Sequence, residues 1–97
     1  MGFISGAPGT ASSVFIDTSG DTQVKTGTGV LCNVTVGVEG TTGSTITLYD
    51  GSSTSDRMII GMDASEVRPW PFGIQFDKGL FAVVAGDPSP ALTIVYF

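Results

Sequence analysis

The sequence predicts an all-β chain folded as a small antiparallel β-sandwich, jelly-roll-like or immunoglobulin-like, of about seven strands behind an extended N-terminal arm. Three observations lead there. Valine, isoleucine, threonine and the aromatic residues supply 38 of the 97 residues, whereas Ala, Leu, Met, Glu, Gln, Lys and Arg together supply 21, a balance that favours strands over helices. Glycine, serine and threonine make up more than a third of the chain, which provides for many turns. Short alternating runs recur about every ten residues with turn residues between them, the spacing of a sandwich or small barrel. A chain of this length is one domain, divided into an arm at residues 1–13 and a sandwich at 14–97.

Each element follows from local chemistry. Residues 1–13 show no period and cannot form a core, so they read as an arm that is disordered alone and ordered on assembly, with Phe3 and Ile4 as anchors on a neighbour. Val14, Phe15 and Ile16 make the first strand. Residues 17–21 are turn chemistry, because Asp and Ser bond their own backbone and Gly accepts positive φ. Gln23, Val24 and Lys25 form a short strand before Gly27, Thr28 and Gly29.

Along residues 30–38 the valines and Cys32 alternate with Leu31, Asn33, Thr35 and Gly37, which sets one face toward the core. Residues 39–44 have the length of a hairpin turn. In residues 45–49 Ile46 and Leu48 point inward. Residues 50–57 are a polar loop, and residues 58–62 a short buried strand. Asp63 and Glu66 have the spacing of a helix cap in a segment too short for a helix, so it reads as a loop. Residues 70–76 are extended, and Pro69 and Pro71 confine them to a sheet edge or to the start of a strand. Asp77, Lys78 and Gly79 turn into residues 80–85; residues 86–90 break the chain; residues 91–97 are the last strand.

The same residues exclude whole classes of function. Four basic and nine acidic side chains leave a net charge of −5, so the chain is no phosphate-backbone binder and nucleic acid is not a partner. Without histidine, neither a Ser–His–Asp nor a Cys–His arrangement can form. The carboxylates of Asp50, Asp56, Asp63 and Glu66 lack a second lobe that would make a cleft, and read as turn and loop residues. Lys25-Thr26-Gly27 matches a signature of penicillin-recognising enzymes, but its Ser-x-x-Lys partner is missing. Asn33-Val34-Thr35 has the form of a glycosylation site in mid-strand. No metal-binding or phosphate-cradling loop is present, so the expectation is no cofactor, no metal site and no catalysis.

Cys32 is the single cysteine, which rules out an internal disulfide and fits folding in a reducing compartment. No apolar run nears the roughly 20 residues that span a bilayer, and no membrane partner is expected. The first residues lack the basic and apolar regions of a signal peptide, and Gly6 breaks the myristoylation pattern; synthesis in a cytoplasm follows. Mean hydropathy is +0.33 with 13% charged residues. A domain this small buries only about 60–65% of its unfolded surface, so apolar area is left for copies of itself or for another protein. Trp70-Pro71-Phe72 is the densest aromatic patch. It reads as a sugar-stacking platform, a protein anchor or a plug at a sheet end.

From Lys25 onward the order of motifs resembles small structural proteins of tailed phages. Its elements are Val24-Lys25-Thr26-Gly27-Thr28-Gly29-Val30-Leu31 with the valine-rich strand, Thr45-Ile46-Thr47-Leu48-Tyr49-Asp50-Gly51, Phe76-Asp77-Lys78-Gly79-Leu80-Phe81-Ala82-Val83-Val84, and Ala91-Leu92-Thr93-Ile94-Val95-Tyr96. The resemblance implies a virion β-sandwich on a capsid surface, often a trimer, acting as a decoration (cement) protein. The partners it implies are copies of itself and a major capsid protein or other virion protein. The alternative is a carbohydrate- or receptor-binding module of a fibre or tail, using Trp70 or Tyr49. Phe3, Ile4, Trp70, Phe72 and Phe97 are the interface candidates.

Overall fold

The computed structural model describes residues 11–97 and contains eight strands: β1 (Ser12–Ile16), β2 (Gly20–Thr26), β3 (Gly29–Val38), β4 (Thr45–Asp50), β5 (Arg57–Asp63), β6 (Arg68–Phe76), β7 (Gly79–Ala85) and β8 (Ala91–Tyr96). They form two antiparallel four-stranded sheets, ordered β1-β8-β3-β6 and β2-β7-β4-β5. This order is a jelly roll, which decides between the two sandwich types the sequence allowed. Of consecutive strands in the described residues, only β4 and β5 are neighbours in a sheet. Every other connection arches from one sheet to the other.

Alternation supplies the core. Leu31, Val34 and Val36 of β3 and Leu92 and Ile94 of β8 face Ile46 and Leu48 of β4 and Leu80, Ala82 and Val84 of β7, with Phe76 at the end of β6. All are buried, and each large side chain contributes about 1.5–3 kcal/mol by leaving water.

Several expectations are corrected or sharpened. The short strand at residues 23–25 is a full seven-residue β2 paired along β7, because backbone pairing does not require alternating side chains. Residues 39–44 do not close a hairpin: β3 and β4 lie in different sheets, and turn residues serve an arch as well as a hairpin. The strand at residues 58–62 is buried only at Met62, with Ile59 and Ile60 half-covered, since β5 is a sheet edge whose register slips between Leu48 and Tyr49 and leaves Met58 57% exposed. The single alternation over residues 30–38 is broken by register shifts at 31/33 and 36/38. Each extra residue exchanges the faces, so Leu31, Val34 and Val36 are inside while Val30 and Val38 point out.

β6 lies at the edge of its sheet, as Pro69 and Pro71 required. Ser12 and Ser13, assigned to the arm by composition, pair with Tyr96 and Val95 as part of β1. Residues 1–10, including Phe3 and Ile4, lie outside the described residues.

Candidate assembly surfaces

Residues directly opposite one another in a sheet share a face, so register identifies what the β1-β8-β3-β6 sheet shows to the outside. One row runs Phe15, Thr93, Thr35 and Pro69; the next runs Ser13, Val95, Asn33 and Pro71. Val30 exchanges backbone hydrogen bonds with Phe97 (2.8 and 3.2 Å) and lies opposite Gln75. Val38 lies opposite Ala91. None of these positions carries a charge. In the whole sheet Arg68, the first residue of β6, is the only Asp, Glu, Lys or Arg. The other sheet holds Asp21, Lys25, Asp50, Arg57 and Asp63. Phe15 is 63% exposed, Val38 56% and Phe97 42%.

The second surface is the flank of the sandwich where β5 and β6 run as the edges of their two sheets, joined through Ala64–Val67. Trp70 and Phe72 alternate inward with Ile74 and Phe76, while Pro69, Pro71 and Gly73 point out. Only Phe76 is fully covered. Trp70, Phe72, Ile59 and Ile60 pack on the core yet remain half-buried, and Val67 between the strands is 55% exposed. Of the five interface candidates, Phe97 thus joins the uncharged sheet face, Trp70 and Phe72 line the flank, and Phe3 and Ile4 are outside the described residues. Phe15, Val38 and Val67 were missed. Phe15 was legible from its alternation with Val14 and Ile16; Val38 was hidden by the second register shift.

The carboxylates have other work. Asp50 ends β4 with its side chain 5% exposed, paired to Arg57 (Nη2 to Oδ2, 2.8 Å). It also accepts the backbone N–H groups of Asp77 (3.0 Å to Oδ1 and 3.1 Å to Oδ2) and Lys78 (2.8 Å). Burial pushes its pKa up, but the Arg57 guanidinium and the N–H groups of Lys78, Asp77 and Gly79 outweigh burial and hold the carboxyl far below the ordinary range. A group so committed to its charged form is no general acid. Asp56 accepts the N–H groups of Ser52 (2.8 Å) and Ser53 (3.1 Å), and these bonds, Ser52 first, lower its pKa. Asp63 accepts from the N–H and hydroxyl of Ser65 (2.8 and 2.6 Å).

Asp50 closes a knot at one end of the sandwich. The β6–β7 arch consists of Asp77 and Lys78 alone, and the β2–β3 arch of Gly27 and Thr28. Gly27 donates its N–H to the Lys78 carbonyl (2.9 Å), and the Thr28 hydroxyl donates to the Asp77 carbonyl (3.2 Å). The Gln23 amide bonds three carbonyls, those of Lys25 (2.8 Å), Gly51 (2.9 Å) and Leu80 (3.2 Å). Here the Lys25-to-Gly29, Asp50-Gly51 and Asp77-Lys78-Gly79 motifs meet. The residues that carry the phage resemblance in these three motifs are therefore arch-builders of the fold.

No family model matches the sequence, and no curated protein does. Among solved structures, the Drosophila NLP core is similar, with a TM-score of 0.57 over 91% of this chain and 96% of that one at 15% identity. The likeness shows the fold alone. That core is likewise a β-sandwich, and its structure is described for pentamer formation and histone binding.

Among the described residues no three metal-ligating side chains converge, and no helix is long and apolar enough to cross a membrane.

Proposed function

We propose that this chain is a non-enzymatic virion structural protein that self-associates and binds the outside of a phage head as a capsid decoration (cement) protein. The observation that carries the reading is the uncharged outer face of the β1-β8-β3-β6 sheet, with Phe15, Val38 and Phe97 exposed on it. A broad face that exposes Phe and Val among neutral polar side chains loses no ion hydration when it packs against another protein. The pentamer formation named for the NLP core gives support to homo-oligomerisation within this fold; a trimer remains the form that the phage resemblance implies.

The mechanism is burial. About 200 Å² of apolar contact contributes about 5 kcal/mol at 25 cal/mol per Å², before association costs are subtracted. A ligand that binds only the closed lattice stabilises it by linkage, and many copies together make the effect large. A second reading rests on the outer face of the other sheet, where Gln23, Phe81, Tyr49 and Met58 form one row. The Tyr49 and Phe81 rings there lie 6.4 Å apart at 55° and offer a stacking surface to a sugar.

The test is to mix the protein with heads stripped of decoration, pellet them at low and high salt, and melt them. Co-sedimentation at both salts with a raised melting temperature is expected. No co-sedimentation at either salt, together with binding on a glycan array, would replace the cement reading with the receptor module.

A further inference from the structure

We infer that the uncharged sheet face of one copy receives the β5–β6 flank of a second copy, a head-to-tail contact that closes into a ring. The inference rests on the self-association proposed above and names the two surfaces that meet. Both lie on one chain and differ in shape. The face belongs to the broad side of a body measuring 39 × 34 × 19 Å, and the flank to its thin side. Face-to-face pairing of two copies would cover Phe15 and Phe97 but leave Val67 and the exposed parts of Trp70 and Phe72 uncovered. One head-to-tail contact covers both sets at once.

Charge makes the same choice. Glu66 sits beside Val67 on the flank, and Asp63 ends β5. Flank-to-flank pairing would desolvate charges of both signs on both copies, Arg57 and Arg68 as well as Asp63 and Glu66, at a cost. Against the other sheet's outer face the two acids would meet Asp21 and another Asp63. The β1-β8-β3-β6 face has no acidic side chain to oppose them. The area is adequate: a side about 20 Å thick along strands about 25 Å long outlines about 500 Å², and side-chain relief brings it toward the roughly 800 Å² per partner of a stable interface. Face and flank are adjacent sides of one sandwich, so each contact turns the chain by roughly a right angle. Allowing for sheet twist, the ring closes at about three to five copies.

Phe15→Glu marks the face and Val67→Glu the flank. Both sites are well exposed (63% and 55%), so the fold tolerates the change, which circular dichroism verifies. By native mass spectrometry the wild type is expected as a ring, and each variant alone as a monomer. An equal mixture of the two variants is expected to give a one-to-one heterodimer and nothing larger. The intact flank of Phe15→Glu can dock on the intact face of Val67→Glu, whereas the reverse contact is doubly broken. A Val67→Glu ring indistinguishable from wild type, or a mixture with no heterodimer, would overturn the head-to-tail contact while leaving self-association standing. A monomeric wild type would overturn both.

Discussion

Replacing Asp50 by alanine removes the one acceptor that ties the end of β4 to the β6–β7 arch. Two backbone donors, the N–H groups of Asp77 and Lys78, lose a carboxylate at 2.8–3.1 Å. Hydrogen bonds to a charged group are worth about 1.5–3 kcal/mol each, and water reaches the exposed arch and recovers part of that. Arg57 is 65% exposed, so its share is under about 1 kcal/mol. The expected cost of Asp50→Ala is about 3 kcal/mol, a fall of about 15 °C in Tm for a domain of this size. Arg57→Ala should cost under about 1 kcal/mol.

Thermal unfolding followed by circular dichroism in the Phe15→Glu background keeps subunit association out of the comparison. The Asp50 pKa is lower in the folded chain than in the unfolded one. Its stabilisation is therefore complete above the unfolded value near 3.9 and is lost as pH falls through the folded value. The gap between Asp50→Ala and its parent should hold constant from about pH 7 to 5 and shrink below about pH 4. An Asp50→Ala cost no larger than that of Arg57→Ala, or a gap that widens in acid, would refute this account of the knot.

Two further outcomes are expected. Gly79→Ala would set a Cβ 2.8 Å from the Gly51 carbonyl oxygen and 2.9 Å from that of Lys25, so its urea midpoint should fall by the equivalent of about 2 kcal/mol; an unchanged midpoint would show that the arches yield freely. Deleting residues 1–10 should leave the melting of the sandwich unchanged in the Phe15→Glu background and, in the wild-type background, weaken the oligomer or its attachment to heads, whereas equal binding by the shortened chain would show that the segment is only a tail.

The sandwich was legible in the sequence because its core strands alternate: Ile46 with Leu48, Leu80 with Ala82 and Val84, Leu92 with Ile94. Alternation reports faces, however, and not partners. It could not tell the arch at residues 39–44 from a hairpin, nor a jelly roll from an immunoglobulin-like sandwich. Relative to β8, β3 carries two extra residues, each costing one step of register, which moved Val30 and Val38 from the inner face to the outer. The continuous apolar run at residues 58–62 reads equally as a buried strand or as an edge, and only its neighbours decide. Apolar surface beyond the core's needs was predicted from composition, but its location was not: the missing charges are spread over β1, β3, β6 and β8 and become one face only when those strands pair. Asp50 was read as a loop residue because the donors that bind it lie 27 and 28 residues away.

The central claim is that the uncharged face drives association. Sedimentation equilibrium of the wild-type protein at micromolar concentration, at low salt and at about 0.5 M salt, tests it most directly. An oligomer of the same mass is expected at both, because screening does not weaken packing without ion pairs and only relieves the repulsion between chains of net charge −5, and Phe15→Glu should abolish it at both. A 9.9 kDa monomer at both salts, or an oligomer that dissociates at high salt and ignores Phe15→Glu, would contradict the account.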